Sequence, residues 1–153
     1  MSENSYIQIE PFTGLGELFL GMSRNEIKKL LGSPDSEVLE NWPDETQTDT
    51  WKYDTSTLEL TFSSEDDFRL TSITTSSKKT TLDNTRPIGL SENDLIKQFP
   101  KVILDDDFKE FGKNYSYPDY EISFWLINNI VDSLTIFPEY ELDEETIIWP
   151  IRL

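Results

Sequence analysis

The sequence predicts an α+β fold: two tandem modules, each a helix followed by antiparallel strands, sharing one sheet with both helices packed on one face. Three echoes carry this. Gly21–Pro34 (Gly-Met-Ser-Arg-Asn-Glu-Ile-Lys-Lys-Leu-Leu-Gly-Ser-Pro) is partly repeated at Gly89–Pro100 (Gly-Leu-Ser-Glu-Asn-Asp-Leu-Ile-Lys-Gln-Phe-Pro). Leu58-Glu-Leu-Thr-Phe62 returns as Tyr120-Glu-Ile-Ser-Phe124, and Leu70-Thr-Ser-Ile-Thr74 as Val131-Asp-Ser-Leu-Thr135. Segments recurring in one order mark a duplicated unit. The modules are 1–82 and 83–153. A module of about 70 residues is marginal for a core of its own, so the two are expected to form one compact structure.

The elements follow in order. Tyr6–Phe12 carries a short apolar alternation and reads as an edge strand or arm, and Leu18-Phe-Leu20 leads into the first helix. Ser23 followed by Glu26 is a capping box, Met22 and Ile27 form a hydrophobic staple, and Gly32 and Pro34 stop the helix. The second helix repeats this with Ser91, Asp94, Leu90, Leu95 and Pro100. Acidic connections, Asp35–Asp49 and Asp105–Glu110, separate each helix from its strands. Trp51-Lys-Tyr53 and Tyr115-Ser-Tyr117 occupy equivalent places, with aromatics at the period of a half-buried strand. Asn128-Asn129 reads as a tight hairpin turn. Ser76–Pro87, rich in Ser, Thr and Lys, reads as the linker, and Thr146–Leu153 as a final strand or docking arm.

Composition narrows the function. Thirty acidic residues against thirteen basic ones give a net charge of −17 over 153 residues. Such a surface repels nucleic acid and anionic membranes and accelerates encounter with a basic protein. There is no cysteine, the first residues lack a basic stretch followed by an apolar one, and no apolar run approaches the roughly 20 residues of a membrane span. A cytoplasmic location is therefore expected.

The sequence also lacks histidine, which removes the commonest general base and metal ligand. Neither a metal nor a cofactor is expected, and enzymatic activity is not. Asp105-Asp106-Asp107 lacks the spaced acids and central glycine of a calcium loop. Ser76-Ser-Lys-Lys79 matches an acylase signature but falls in the linker, and Gly14-Leu-Gly16 lacks the third glycine of a phosphate loop. The more informative residues are aromatic. Trp125 follows Phe124 and so points to the other sheet face, either as an interface anchor or beneath the tail. Glu121, four residues before it, is expected on the same strand and face. The candidate partner-binding residues are Trp125, Glu121, Asp105, Asp106, Asp107, Phe137 and Tyr140.

Gly21-Met22-Ser23, Glu26-Ile27 and Leu31-Gly32-Ser33-Pro34, followed by Trp51 and Tyr53, resemble the repeat of the small outer-membrane assembly lipoproteins and of the tandem-repeat β-lactamase inhibitor proteins. The second copy lacks the Gly-x-Pro ending. The resemblance implies a sheet whose free face grips a protein. The lipoprotein attachment cysteine and the inhibitors' disulfides are both missing, which turns the expectation toward a cytoplasmic immunity protein that neutralises a basic toxin domain. The alternative is a scaffold module of a bacterial protein complex. Oligomeric state is not legible in the sequence.

Overall fold

The structure, a computed structural model, describes residues 7–151. Tyr6 of the expected first strand, and Arg152 and Leu153 of the tail, lie outside the described residues. A small sheet opens the chain: β1 (Ile9–Glu10), β2 (Gly14–Leu15) and β3 (Leu18–Phe19). Helix α1 (Arg24–Leu31) leads to β4 (Ser36–Asn41), β5 (Gln47–Tyr53), β6 (Leu58–Ser63) and β7 (Arg69–Thr75). Helix α2 (Glu92–Gln98) leads to β8 (Ile103–Asp107), β9 (Lys113–Tyr117), β10 (Ile122–Ile127) and β11 (Ile130–Ile136). A hairpin of β12 (Glu139–Tyr140) and β13 (Ile147–Ile148) follows. The eight long strands form one antiparallel sheet in the order β4-β5-β6-β7-β11-β10-β9-β8.

The α+β expectation is overturned. Strands make up 44% of the structure and helices 14%. At 1.5 Å per residue the two helices are about 12 and 11 Å long, too little for a helical layer on a sheet about 34 Å across. Each buries a single side chain fully, Ile27 or Leu95. The protein is mostly β because the acidic stretches read as connections are themselves extended. Asp35–Asp49 contains β4 and the start of β5, and Asp105–Asp107 lies in β8. Both edge strands are exposed on both faces, so neither shows the alternation that betrays a half-buried strand.

The helix starts fall where the caps place them. Ser23 Oγ accepts the Glu26 N–H and Glu26 Oε1 accepts the Ser23 N–H, both at 3.1 Å. Ser91 Oγ accepts the Asp94 N–H at 3.1 Å. Asn128 and Asn129, both with positive φ, form the β10–β11 turn. The core consists of one face of the sheet, including Trp51, Leu60, Phe62, Ile73, Phe124, Leu126 and Leu134, with Leu15, Leu18 and Leu20 from the opening segment. Ser76–Pro87 is docked: Thr80 and Leu82 are buried, and Thr81 exchanges backbone hydrogen bonds of 2.9 Å with Ile7 and Ile9.

The sheet has an internal pseudo-two-fold. Thr74 of β7 pairs with Thr135 of β11, and their hydroxyls are hydrogen-bonded at 2.8 Å. Both inner hairpins, β6–β7 and β10–β11, carry a bulge at one place: the register shifts between Thr61 and Phe62 on one side and between Trp125 and Leu126 on the other. Ahead of each helix a left-handed glycine docks on the bulged strand, Gly21 N–H to Leu70 C=O and Gly89 N–H to Val131 C=O, both 2.8 Å. The pairings also shift the correspondence between the two halves from the one the sequence echoes suggest. Trp51 faces Leu60 and Tyr115 faces Phe124, so Leu58–Phe62 corresponds to Ile122–Leu126, two residues beyond the echo at Tyr120–Phe124.

Candidate protein interface

The register assembles Trp125 from its neighbours. It stands opposite Asn114 of β9 on one side and Ser133 of β11 on the other, and Asn114 stands opposite Asp106 of β8. Cross-strand partners project from one face, so Asp106, Asn114, Trp125 and Ser133 form a row on the face away from the core. Trp125 is half-buried there. Its ring lies 6.0 Å from that of Phe108, and it is seated on Gly112, where a Cβ would come within 2.5 Å of it. Of the two alternatives for Trp125, the ring is flanked by the β8–β9 turn. The tail's Trp149 lies elsewhere, with the Arg69 guanidinium 4.0 Å from its ring centre.

Around this seat two turns meet. Lys109, Glu110 and Gly112 of the β8–β9 turn and Asn128 and Asn129 of the β10–β11 turn line one hollow of about 230 Å³. Phe108, Phe111, Ile127 and Ile130 flank these turns and are exposed, Phe111 by 74%. Asp105, Asp106 and Asp107 run along β8 beside them, all exposed. Asp105 is the extra residue of a bulge, and the Asp107 carboxylate accepts the Lys109 N–H at 2.9 Å. An apolar centre with an acidic rim is the anatomy of a protein interface. Of this group, Trp125 and Asp105–Asp107 are candidates from the sequence, and the structure adds Phe108, Phe111, Ile127 and Ile130 as neighbours of the same turns. Two phenylalanines in an acidic run and two isoleucines flanking a polar turn were the available signals.

The other three candidate residues gather at the far end of β10. Glu121 is not on the strand with Trp125: it precedes β10 in a turn, with φ +51°. Its carbonyl accepts the Phe137 N–H at 3.0 Å. Burial, and then the nearby Glu144, raise its pKa. Phe137 is half-buried just past β11, and Tyr140 lies in β12 with its pKa raised by burial and by Asp66 and Glu121. These residues and the tail make a second cluster, separate from Trp125. Among the described residues no group of three carboxylates is placed to hold a metal ion, and no helix is long and apolar enough to cross a membrane.

Beneath each half lies an ion pair between the helix's first residue and the long strand. Arg24 Nη1 meets Asp49 Oδ2 at 3.1 Å, and Lys113 Nζ meets Glu92 Oε2 at 3.1 Å. Glu92 also accepts the Tyr115 hydroxyl at 2.5 Å. That bond, more than Lys113, lowers the Glu92 pKa, while burial and Glu92 push Tyr115 up to about 12.

No protein-family model matches the chain, and no curated protein does. Two solved structures are similar. A DUF4309 family protein (YjgB) from Bacillus subtilis subsp. subtilis str. 168 is 14% identical with a TM-score of 0.49, over 76% of this chain and 78% of that one. An extracellular protein containing a SCP domain from Bacillus anthracis str. Ames is 9% identical with a TM-score of 0.49, over 78% of this chain. The match spans 44% of that protein's length.

Proposed function

We propose that the chain is a non-catalytic, cytoplasmic protein-binding inhibitor of the immunity type, which occludes a basic toxin domain. The observation that supports it best is the half-buried Trp125 packed by the exposed Phe108, with the exposed Phe111, Ile127 and Ile130 at the two adjoining turns, beside an acidic strand. Desolvated aromatics supply most of an interface's affinity. The rim acids and the net charge of −17 raise the rate of encounter with a cationic partner and set its salt dependence.

The test is co-expression with a basic toxin domain, sought first in the neighbouring reading frames, followed by binding kinetics. The chain should restore growth. Trp125→Ala should accelerate dissociation by at least about tenfold, a loss of more than about 1.4 kcal/mol. Neutralising Asp105, Asp106 and Asp107 should slow association at low salt. Unchanged binding in both variants rejects this surface. A stable complex with a partner that harms nothing replaces the inhibitor with the scaffold reading.

A further inference from the structure

The sheet has two free edges, and they are built differently. Strand β8 has three consecutive aspartates and a bulge between Leu104 and Asp106. Charge and bulges are the devices that stop a further strand from pairing with an edge. Strand β4 has neither a bulge nor a charged centre. Its six residues pair with β5 in unbroken register, from Ser36 with Lys52 to Asn41 with Gln47. At its middle are Val38 and Leu39, exposed by 52% and 49%. In the matching positions β8 carries Asp106 and Asp107, paired with Asn114 and Lys113 as Val38 and Leu39 are paired with Thr50 and Asp49.

The backbone of β4 is also set for pairing. Trp42 N–H donates to Thr46 C=O at 2.9 Å, closing the hairpin. Antiparallel alternation then directs the N–H and C=O of Glu37, Leu39 and Asn41 outward. Three donors and three acceptors thus line a regular edge with an apolar centre, flanked by Glu37 and Glu40. Trp42 stands at its end, held by a 2.9 Å bond from its indole N–H to Thr48.

We propose that the β4 edge takes an extended, basic segment of a partner protein as a ninth strand. The segment's backbone would bond to Glu37, Leu39 and Asn41. Its apolar residues would stand beside Val38 and Leu39, and its Lys or Arg side chains beside Glu37 and Glu40. Charge selects this occupant. A second copy pairing antiparallel about Leu39, a register that the outward groups of Glu37, Leu39 and Asn41 allow, would set each Glu40 against the other copy's Val38 and bring together two chains of net charge −17 each. The inference rests on the reading that the partner is basic, but it places contact on the sheet edge opposite Trp125.

The experiment needs no identified partner. The probe is the capped peptide Thr-Lys-Ile-Val-Lys-Thr, titrated to millimolar concentration at low salt against the full chain while backbone amide resonances are followed. The Glu37, Leu39 and Asn41 amides should shift and gain exchange protection, whereas the amides of β8 stay unchanged. A peptide with both lysines replaced by glutamate should leave them unmoved. Leu39→Pro removes an outward N–H and no ladder bond. It should keep the chain folded, as edge strands tolerate proline there, and abolish the shifts. Glu37→Lys with Glu40→Lys should exchange the preference from the lysine to the glutamate peptide. Absence of shifts at the three outer amides overturns the proposal. So does self-association through β4, seen as a dimer by sedimentation that Leu39→Pro dissolves. Either result leaves the Trp125 surface to stand or fall on its own kinetics.

Discussion

The two halves of the sheet solve one structural problem with opposite charges. In the first, the helix's first residue is Arg24 and its strand partner is Asp49; in the second they are Glu92 and Lys113. Strand pairing makes Asp49 and Lys113 equivalent, and likewise Trp51 and Tyr115. The reversal has consequences. Glu92 stands at a helix N-terminus, where the macrodipole favours an acid, and satisfies both Lys113 and the Tyr115 hydroxyl. Arg24 opposes that dipole and can accept nothing from Trp51. The Trp51 indole N–H and the Asp49 Oδ1 are left buried without protein partners, and the Asp49 side chain is only 3% exposed. One backbone plan therefore tolerates either polarity, and the second half satisfies its polar groups better.

The exposed residues diverge further than the buried ones. Where the second half places Trp125, the first has Thr61, and where the first places Val38 and Leu39, the second has Asp106 and Asp107. Buried positions keep the common geometry because packing constrains them. Exposed positions are free to specialise, and the contrast locates the two surfaces proposed for partners.

The largest effect that would break this comparison is at the first ion pair. Arg24→Met should cost about 3 kcal/mol in chemical denaturation, because it strands a buried carboxylate. Lys113→Met should cost less, about 1 kcal/mol, since Glu92 keeps the Tyr115 hydroxyl. Next comes Gly112→Ala. With φ +137° and a Cβ placed against Trp125 and the Leu126 carbonyl, it should cost about 2 kcal/mol and change Trp125 fluorescence. Ser23→Ala should cost about 1 kcal/mol, and more than Ser91→Ala, because only Ser23 belongs to a complete capping box.

The smallest effect is in pH dependence. The folded-state pKa of Glu92 is lowered, so its stabilisation is present above the unfolded carboxylate range and is lost as pH falls through the folded value. The Tyr115 pKa is raised to about 12, so its stabilisation holds below the unfolded value of 10.0 and fades as pH rises toward 12. Tyrosinate absorbance should show Tyr115 and Tyr53, also raised to about 12 by burial and by Asp35 and Glu37, ionising last. Lys113→Met should leave the Tyr115 shift largely in place.

The legible parts of the fold were those with a local signature. Ser23 and Ser91 announced their helices through short-range capping, and Asn128-Asn129 announced its turn. Trp51, Tyr53, Tyr115 and Tyr117 showed their strands through alternation with one buried face. The edge strands carried no such pattern: Ser36–Asn41 and Ile103–Asp107 are wet on both sides, and their acids read as loops. That omission turned a mostly β protein into an α+β expectation. The site was legible where a strand neighbour fixed the facing, as Phe124 did for Trp125. It was illegible where a turn intervened, as for Glu121, whose positive φ takes it off the strand, and for Phe108 and Phe111, whose turn comes beside the Asn128-Asn129 turn only through tertiary pairing.

Equivalence of the halves is tested most directly by rebuilding the first ion pair with the second half's charges. Chemical denaturation would compare Arg24→Glu, Asp49→Lys and the double variant. Each single variant faces like charges across the pair and should lose about 3 kcal/mol. The double variant restores the Glu92–Lys113 arrangement and offers an acceptor to the Trp51 indole. It should recover at least about 2 kcal/mol relative to the sum of the single losses. A double variant that loses the full sum, with no coupling, would contradict the claim that the two halves share one plan.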